Sequence, residues 1–323
     1  MSNALRSADP DFGTASSSSN SLNMPATAAG SDGLPVMQDR GRMARIRARA
    51  AVVLYYLVCG MLTIVFLFPI AWSAFTSFYS PADASASPPM WLPSHLSFEN
   101  YYNLANYGEG IWRYLGNSAS VAAMTVSMTL VLCTLGGYGF SRFRFRGRNV
   151  IFVVILATLM IPFQSILNPL FVLLRWLHLQ GTLFGLALVY TTFQLPFAVF
   201  MMRNSFDSVP REIEEASLID GCSSLQSLRI VMLPLVLPGL VTAGLFAFFG
   251  SWNELLAALI LLGDAKNYTM PVMLLNAQSG QLGSIDWGLM QAGITLSILP
   301  CAVLFLLLQR YYINGLIAGA VKA

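Results

Sequence analysis

Six runs of apolar residues, each about as long as a bilayer is thick, restrict what this chain can fold into. They cover residues 50–75, 115–140, 150–174, 183–202, 235–262 and 289–313. A helix needs about 20 predominantly apolar residues to cross the hydrocarbon core. Inside lipid every backbone N–H and C=O requires an internal partner, and a helix provides it. Composition points the same way: 10% of the residues are charged, against about 25% in a soluble domain. So few ionic groups could not cover a water-facing surface. The expectation is an all-α integral membrane protein with about six transmembrane helices.

The flanks refine this. Residues 1–49 are rich in Ser, Ala, Gly and Asn and are expected to be a disordered tail. The tail ends in Arg40, Arg42, Arg45, Arg47 and Arg49. Arginines before an apolar run can mark a cleaved export peptide, but such a core spans only about 7–15 residues. The run 50–75 is too long for that and is expected to stay as the first span. Pro162 predicts a kink in the third run and Pro169 its end. Residues 171–179, with Arg175 and His178 among leucines, would then lie along the interface. Pro196 predicts a kink in the fourth run.

Basic residues set orientation. With the amino terminus in the cytoplasm, Arg142, Arg144, Arg146, Arg148, Arg203, Arg211, Arg229, Arg310 and Lys322 share that side, and Arg113, Arg175 and Lys266 lie outside. Each arginine carried to mid-membrane costs about 3 kcal/mol, so the inverted arrangement is strongly disfavoured. Both termini are expected to be cytoplasmic, flanking a permeation domain at 50–313, with a tail at 314–323. A formal charge of +3 does not suggest a nucleic-acid partner. Cys59, Cys133, Cys222 and Cys301 are far apart, as are His95 and His178. No disulfide framework or metal site is expected.

The cytoplasmic loop 203–234 carries the most information. Pro210 suits a first helical position, and Glu212, Glu214 and Glu215 favour the first turns through the helix dipole. Ile213, Ala216 and Ser217 share a face. Gly221 can take the left-handed conformation that ends a helix. Ser223 and Gln226 have capping-box spacing for a second helix, and Leu233-Pro234 marks the start of the fifth span. Physically this is a short helix, a sharp corner and another helix. Such a unit fits an ordinary solvated loop and a docking element equally well.

Glu215-Ala216-Ser217, Asp220-Gly221, then Ile230 and Leu233-Pro234 resemble the EAA signature of binding-protein-dependent ABC importer permeases. Ser217 replaces the second alanine, small for small. Ser97-Phe98-Glu99-Asn100-Tyr101, the helix end Tyr138–Phe145, Met160-Ile161-Pro162, Trp252-Asn253-Glu254 and the ending Gly315–Lys322 are similar to segments of the maltose-type sugar permeases, the MalG-like half. The likeness covers residue 50 to the end.

The resemblance implies a type I ABC importer permease fold in a bacterial inner membrane. It implies that Glu212, Glu215, Ala216, Ser217, Asp220, Gly221, Ile230 and Pro234 form a coupling element seated in a cleft of an ATPase subunit, with Glu215 meeting an arginine there. Gly315, Gly319 and Lys322 would reach between two ATPase copies. The implied partners are a second, similar permease, two copies of an ABC ATPase, an extracytoplasmic sugar-binding protein and membrane lipid. No cofactor is expected on this chain; ATP and Mg would sit in the ATPase. Its only lysines, Lys266 and Lys322, are not followed by Ser or Thr as a P-loop requires.

Ionisable groups within the membrane suggest function. Asn253 and Glu254, beside Trp252 and Phe249, and Tyr190 and Gln194 on the fourth run, are therefore candidates for the substrate path, with helix packing as the plain alternative. A secondary carrier working without an ATPase is the rival class. It would show internal repeats and midplane coupling acids; no convincing repeat is present, and Glu254 is nearly the only such acid.

Overall fold

The computed structural model describes residues 35–86, 91–279 and 285–320, and all regular structure among them is helical. The chain forms two compact units, Met1–Ile64 and Val65–Ala323. The principal helices are α1 (Pro35–Thr76), α2 (Glu99–Ala105), α3 (Ile111–Arg142), α4 (Arg148–Ala157), α5 (Leu167–Trp176), α6 (Leu183–Asp207), α7 (Arg211–Ile219), α8 (Leu237–Trp252), α9 (Leu256–Leu261), α10 (Met270–Ser279) and α11 (Trp287–Ala320).

Helix α1 already begins at Pro35. The arginine segment, expected to belong to an unfolded tail, is therefore helical. Arg, Met and Ala are good helix formers, and proline is tolerated in a first turn. The rest of that expected tail lies outside the described residues.

Among the described residues, four helices are long and apolar enough to cross a membrane: Arg49–Thr76 within α1, then α3, α6 and Trp287–Gln309 within α11. Two bent pairs bring the number to six when each is taken as one span. The first corrects the third run. Its halves, Arg148–Met160 and Phe163–Trp176, meet at 96° rather than at a modest kink. Pro162 holds φ at −60°, and the residue before a proline avoids helical geometry, so Ile161 is extended at φ −79°, ψ 120°. Pro169 does not end a helix. It lies in the first turn of α5, where its missing N–H removes no helical hydrogen bond. The second pair, Ser224–Leu235 and Leu237–Trp252, bends by 82° at Val236. The long helix of the fifth span thus starts at Leu237, and its apolar run breaks again after Trp252.

In the second unit α3 packs along α6, with α8 against both and α11 against α8. Small residues let backbones approach in membranes. At Gly137 an added Cβ would lie 2.6 Å from Met202 Cβ and 2.9 Å from Arg203 N. At the outer end, Arg113 Nε donates to Lys266 O at 2.9 Å, and Asn117 Nδ2 donates to the Lys266 and Tyr268 carbonyls, each at 2.9 Å. The outer segment after α1 is braced by Asn100, fully buried, whose Nδ2 donates to Ser77 O (3.0 Å) and Tyr79 O (2.7 Å). Tyr101 adds a hydroxyl contact to Ser77 Oγ at 2.7 Å. The external motif is therefore a structural clasp.

Candidate functional site

Helix α7 is bounded by two corners built from local chemistry. Pro210 (φ −54°, ψ 140°) stands just before the first helical residue, one place earlier than expected. Glu212 and Glu214 occupy the first turn, where the dipole favours them. The far end is a Schellman motif. Gly221 takes φ +90°, its N–H donates to Leu218 O at 3.1 Å, and the Cys222 N–H donates to Ser217 O at 3.1 Å. The capping box follows: the Ser223 N–H donates to Gln226 Oε1 (2.8 Å) and the Gln226 N–H to Ser223 Oγ (3.4 Å). A π-helical turn, Ser227–Met232, then leads to the bend at Val236. Leu233-Pro234 lies before that bend, in the first arm of the bent pair, rather than at the start of the long helix.

The two faces of α7 differ sharply. Glu212, Ile213, Glu215, Ala216, Leu218, Ile219 and Asp220 are exposed, Ile219 at 85%. Ile230 and Pro234 are exposed on the following segment. Ser217 departs from its expected place on the outer face. It is 6% exposed, donates to Glu214 O at 2.7 Å and meets Ser227 Oγ at 2.6 Å. Its small size serves packing against the π turn. Gly315 and Gly319 fall on the last turns of α11, and Lys322 lies outside the described residues.

Beneath α7 sits a constellation that sequence reasoning missed. Glu214, 8% exposed, points inward. Its Oε2 lies 3.1 Å from Arg142 Nε, an ion pair rather than an aligned hydrogen bond, and Oε1 accepts from the Tyr138 hydroxyl. Arg142 was expected only to set topology, yet it is itself 8% exposed. Its Nη2 donates to Phe206 O (2.7 Å) and Val209 O (2.8 Å), carbonyls at the end of α6. Ser141 Oγ donates to Asp207 Oδ1 at 2.6 Å, and Arg211 Nη2 donates to Ser141 O at 3.2 Å. Arg203 pairs with Asp207 at 3.5 Å and lies 4.0 Å above the Phe152 ring. The only advance signal was the Tyr–Arg spacing in Tyr138–Phe145, which places both side chains one turn apart.

The intramembrane candidates are largely committed elsewhere. Glu254 caps α9: its carboxylate accepts from Leu256 N (2.9 Å) and Ala257 N (3.0 Å), and from the Tyr190 hydroxyl at 2.7 Å. Tyr190 and Trp252 are each 3% exposed, and Trp252 Nε1 donates to Ser297 O at 3.1 Å. Gln194 lies against Gly250. Asn253 is exposed, with Nδ2 donating to Phe249 O at 3.0 Å, and Phe249 is half-buried. Replacing Glu254 by Leu would leave helix-end amides unpaired and the Tyr190 hydroxyl with only its 3.5 Å contact to the backbone carbonyl at position 254. The expected cost is about 1–3 kcal/mol, visible as a lower Tm of the solubilised protein. Unchanged stability with altered transport would instead mean that the carboxylate meets solute.

Fold and site together define a multi-pass helical membrane subunit that presents one short helix to the cytoplasm and ties it inward to its spans. Residues 133–316 match the family described as binding-protein-dependent transport system inner membrane component, and the chain belongs to that family. It is similar to the diacetylchitobiose uptake system permease protein DasC of Streptomyces coelicolor, 33% identical over 81% of this chain and 94% of the relative. The sulfoquinovosyl glycerol transport system permease protein SmoH of Agrobacterium fabrum is 32% identical over 83% and 93%. The inner membrane ABC transporter permease protein YcjP of Escherichia coli is 34% identical over 83% and 95%. Among solved structures, a chain of a bacterial ABC transporter involved in the import of the acidic polysaccharide alginate superposes with a TM-score of 0.70 at 25% identity, covering 82% of this chain and 97% of that one.

Proposed function

We propose that this chain is one of two permease subunits of an ATP-driven importer for a carbohydrate or sugar derivative. It works with a second permease, two copies of an ABC ATPase that hold ATP and Mg, and an extracytoplasmic binding protein. The observation that carries the reading is α7: a helix fixed between two corners, with Glu212, Glu215, Ala216, Ile219 and Asp220 turned outward. This face suits the cleft of a motor subunit whose closure rocks the spans between inward- and outward-open states. A secondary carrier would have no use for it. The substrate class follows from relatives named for diacetylchitobiose and sulfoquinovosyl glycerol. Mass spectrometry of gently solubilised, affinity-purified protein is expected to find an ATPase and a second permease. A ligand screen on the associated binding protein then names the sugar. Full-rate transport by the purified chain alone would overturn the assignment.

A further inference from the structure

We infer that Arg142, Glu214 and Tyr138 are positioning residues that pass movement of α7 into the membrane helices, so that adjacent glutamates of α7 divide the work. This rests on α7 being the ATPase-docking helix, as proposed above. Glu215 faces outward, where a motor could hold it, while Glu214 faces inward and is nearly sealed from solvent.

A nine-residue helix between two corners would swivel on its own backbone if nothing else held it. Its polar side-chain links to the rest of the unit are few and specific. Glu214 reaches Arg142 and Tyr138, Arg211 reaches Ser141 O, and Ser217 meets Ser227. Three of these end on the last two turns of α3. There Arg142 also grips the Phe206 and Val209 carbonyls, so one guanidinium joins α3, the end of α6 and α7. Above that junction α3 and α6 are in backbone contact at Gly137. Displacing α7 therefore loads two spans at once.

Topology alone does not account for this arrangement. A charge that merely marks the cytoplasmic side is satisfied in water, as the exposed Arg144 and Arg146 are, whereas Arg142 is buried. Stability alone does not account for it either, because burying an ion pair costs desolvation that apolar packing avoids. What the pair adds is directionality: apolar surfaces slide past one another, and a charge held by fixed carbonyls and a phenol does not.

The test uses the whole complex with the four native cysteines of this chain replaced. Spin labels at Trp112→Cys and Trp287→Cys, both exposed at the outer ends of α3 and α11, report the spans. Protection of Ile219→Cys from a maleimide reports docking of α7. In the native background, ATP with vanadate is expected to change the distance between the labels. In Glu214→Gln, Ile219→Cys should stay protected while that distance change is lost, and Glu214→Asp should recover part of it. Tyr138→Phe, which leaves the ion pair intact, should diminish it and serves if Glu214→Gln fails to accumulate. A full distance change in these variants overturns the inference, as does loss of the change together with loss of protection. An unprotected Ile219→Cys in the native background instead refutes docking at α7 itself.

Discussion

Changing Glu215 to Lys is expected to abolish substrate-stimulated ATP hydrolysis by the assembled importer while leaving the protein inserted. The side chain is exposed on α7, so its replacement leaves the core packing untouched. A two-turn helix buries only a few hundred Å² in a partner's cleft, or about 5–10 kcal/mol gross at about 25 cal/mol per Å², and association costs reduce that considerably. Reversing one charge at a surface that receives a carboxylate costs several kcal/mol, enough to remove most of the net affinity. Gly221→Pro should do the same by a different route. Proline cannot reach the φ of +90° found there, and it deletes the N–H that closes the corner on Leu218. ATPase assays of the complex with and without loaded binding protein check both. Native stimulation in either variant would remove α7 from the coupling path.

The second large effect lies inside the membrane. Gly137→Ala is expected to lower the Tm of the solubilised protein, and Gly137→Leu to prevent its accumulation. The added Cβ meets main-chain atoms, Arg203 N and Met202 C, each at 2.9 Å, and backbone cannot retreat as a side chain can. Overpacking of this kind typically costs about 1–3 kcal/mol even where neighbours yield. Gly139 supplies the control. It lies in the same helix with nothing within 4 Å of its Cβ position, so Gly139→Ala should be neutral or gain up to about 1 kcal/mol of helix propensity. Opposite signs two residues apart separate the close approach from any general effect on α3. Equal Tm changes would mean that the α3–α6 contact is not tight.

What was legible in the sequence was local or periodic. The apolar runs announced the spans, because the hydrocarbon core demands a fixed length of helix. The corner at Gly221 and the box at Ser223 and Gln226 were readable because each needs only residues within a turn. The inward aim of Glu214 was not, since Glu214 and Glu215 are chemically identical and their difference depends on Arg142, distant in sequence. Arg142 hid among the exposed arginines of its own loop for the same reason. Glu254 suggested a solute contact because an intramembrane acid usually does; that its carboxylate closes α9 became visible only when the break after Trp252 was located. Pro162 announced a deviation but not its 96° angle. The start of α1 at Pro35 is masked by the Ser- and Gly-rich composition before it, although Arg and Met favour a helix.

The right-angled elbow at Ile161-Pro162 has a consequence for how this protein meets its lipids. A helix consumes its own amides and carbonyls, but an elbow leaves some facing outward, and acyl chains offer nothing to pair with them. Phe163–Trp176 turns away from Arg148–Met160 by 96°, and at the corner the Ile161 N–H donates to Thr158 O and the Ser165 N–H to Pro162 O, each at 3.1 Å. Within a bilayer, any polar group the corner leaves open needs water or another polypeptide as its partner. Where such an elbow lies within the hydrocarbon core, lipid chains alone cannot line that sector.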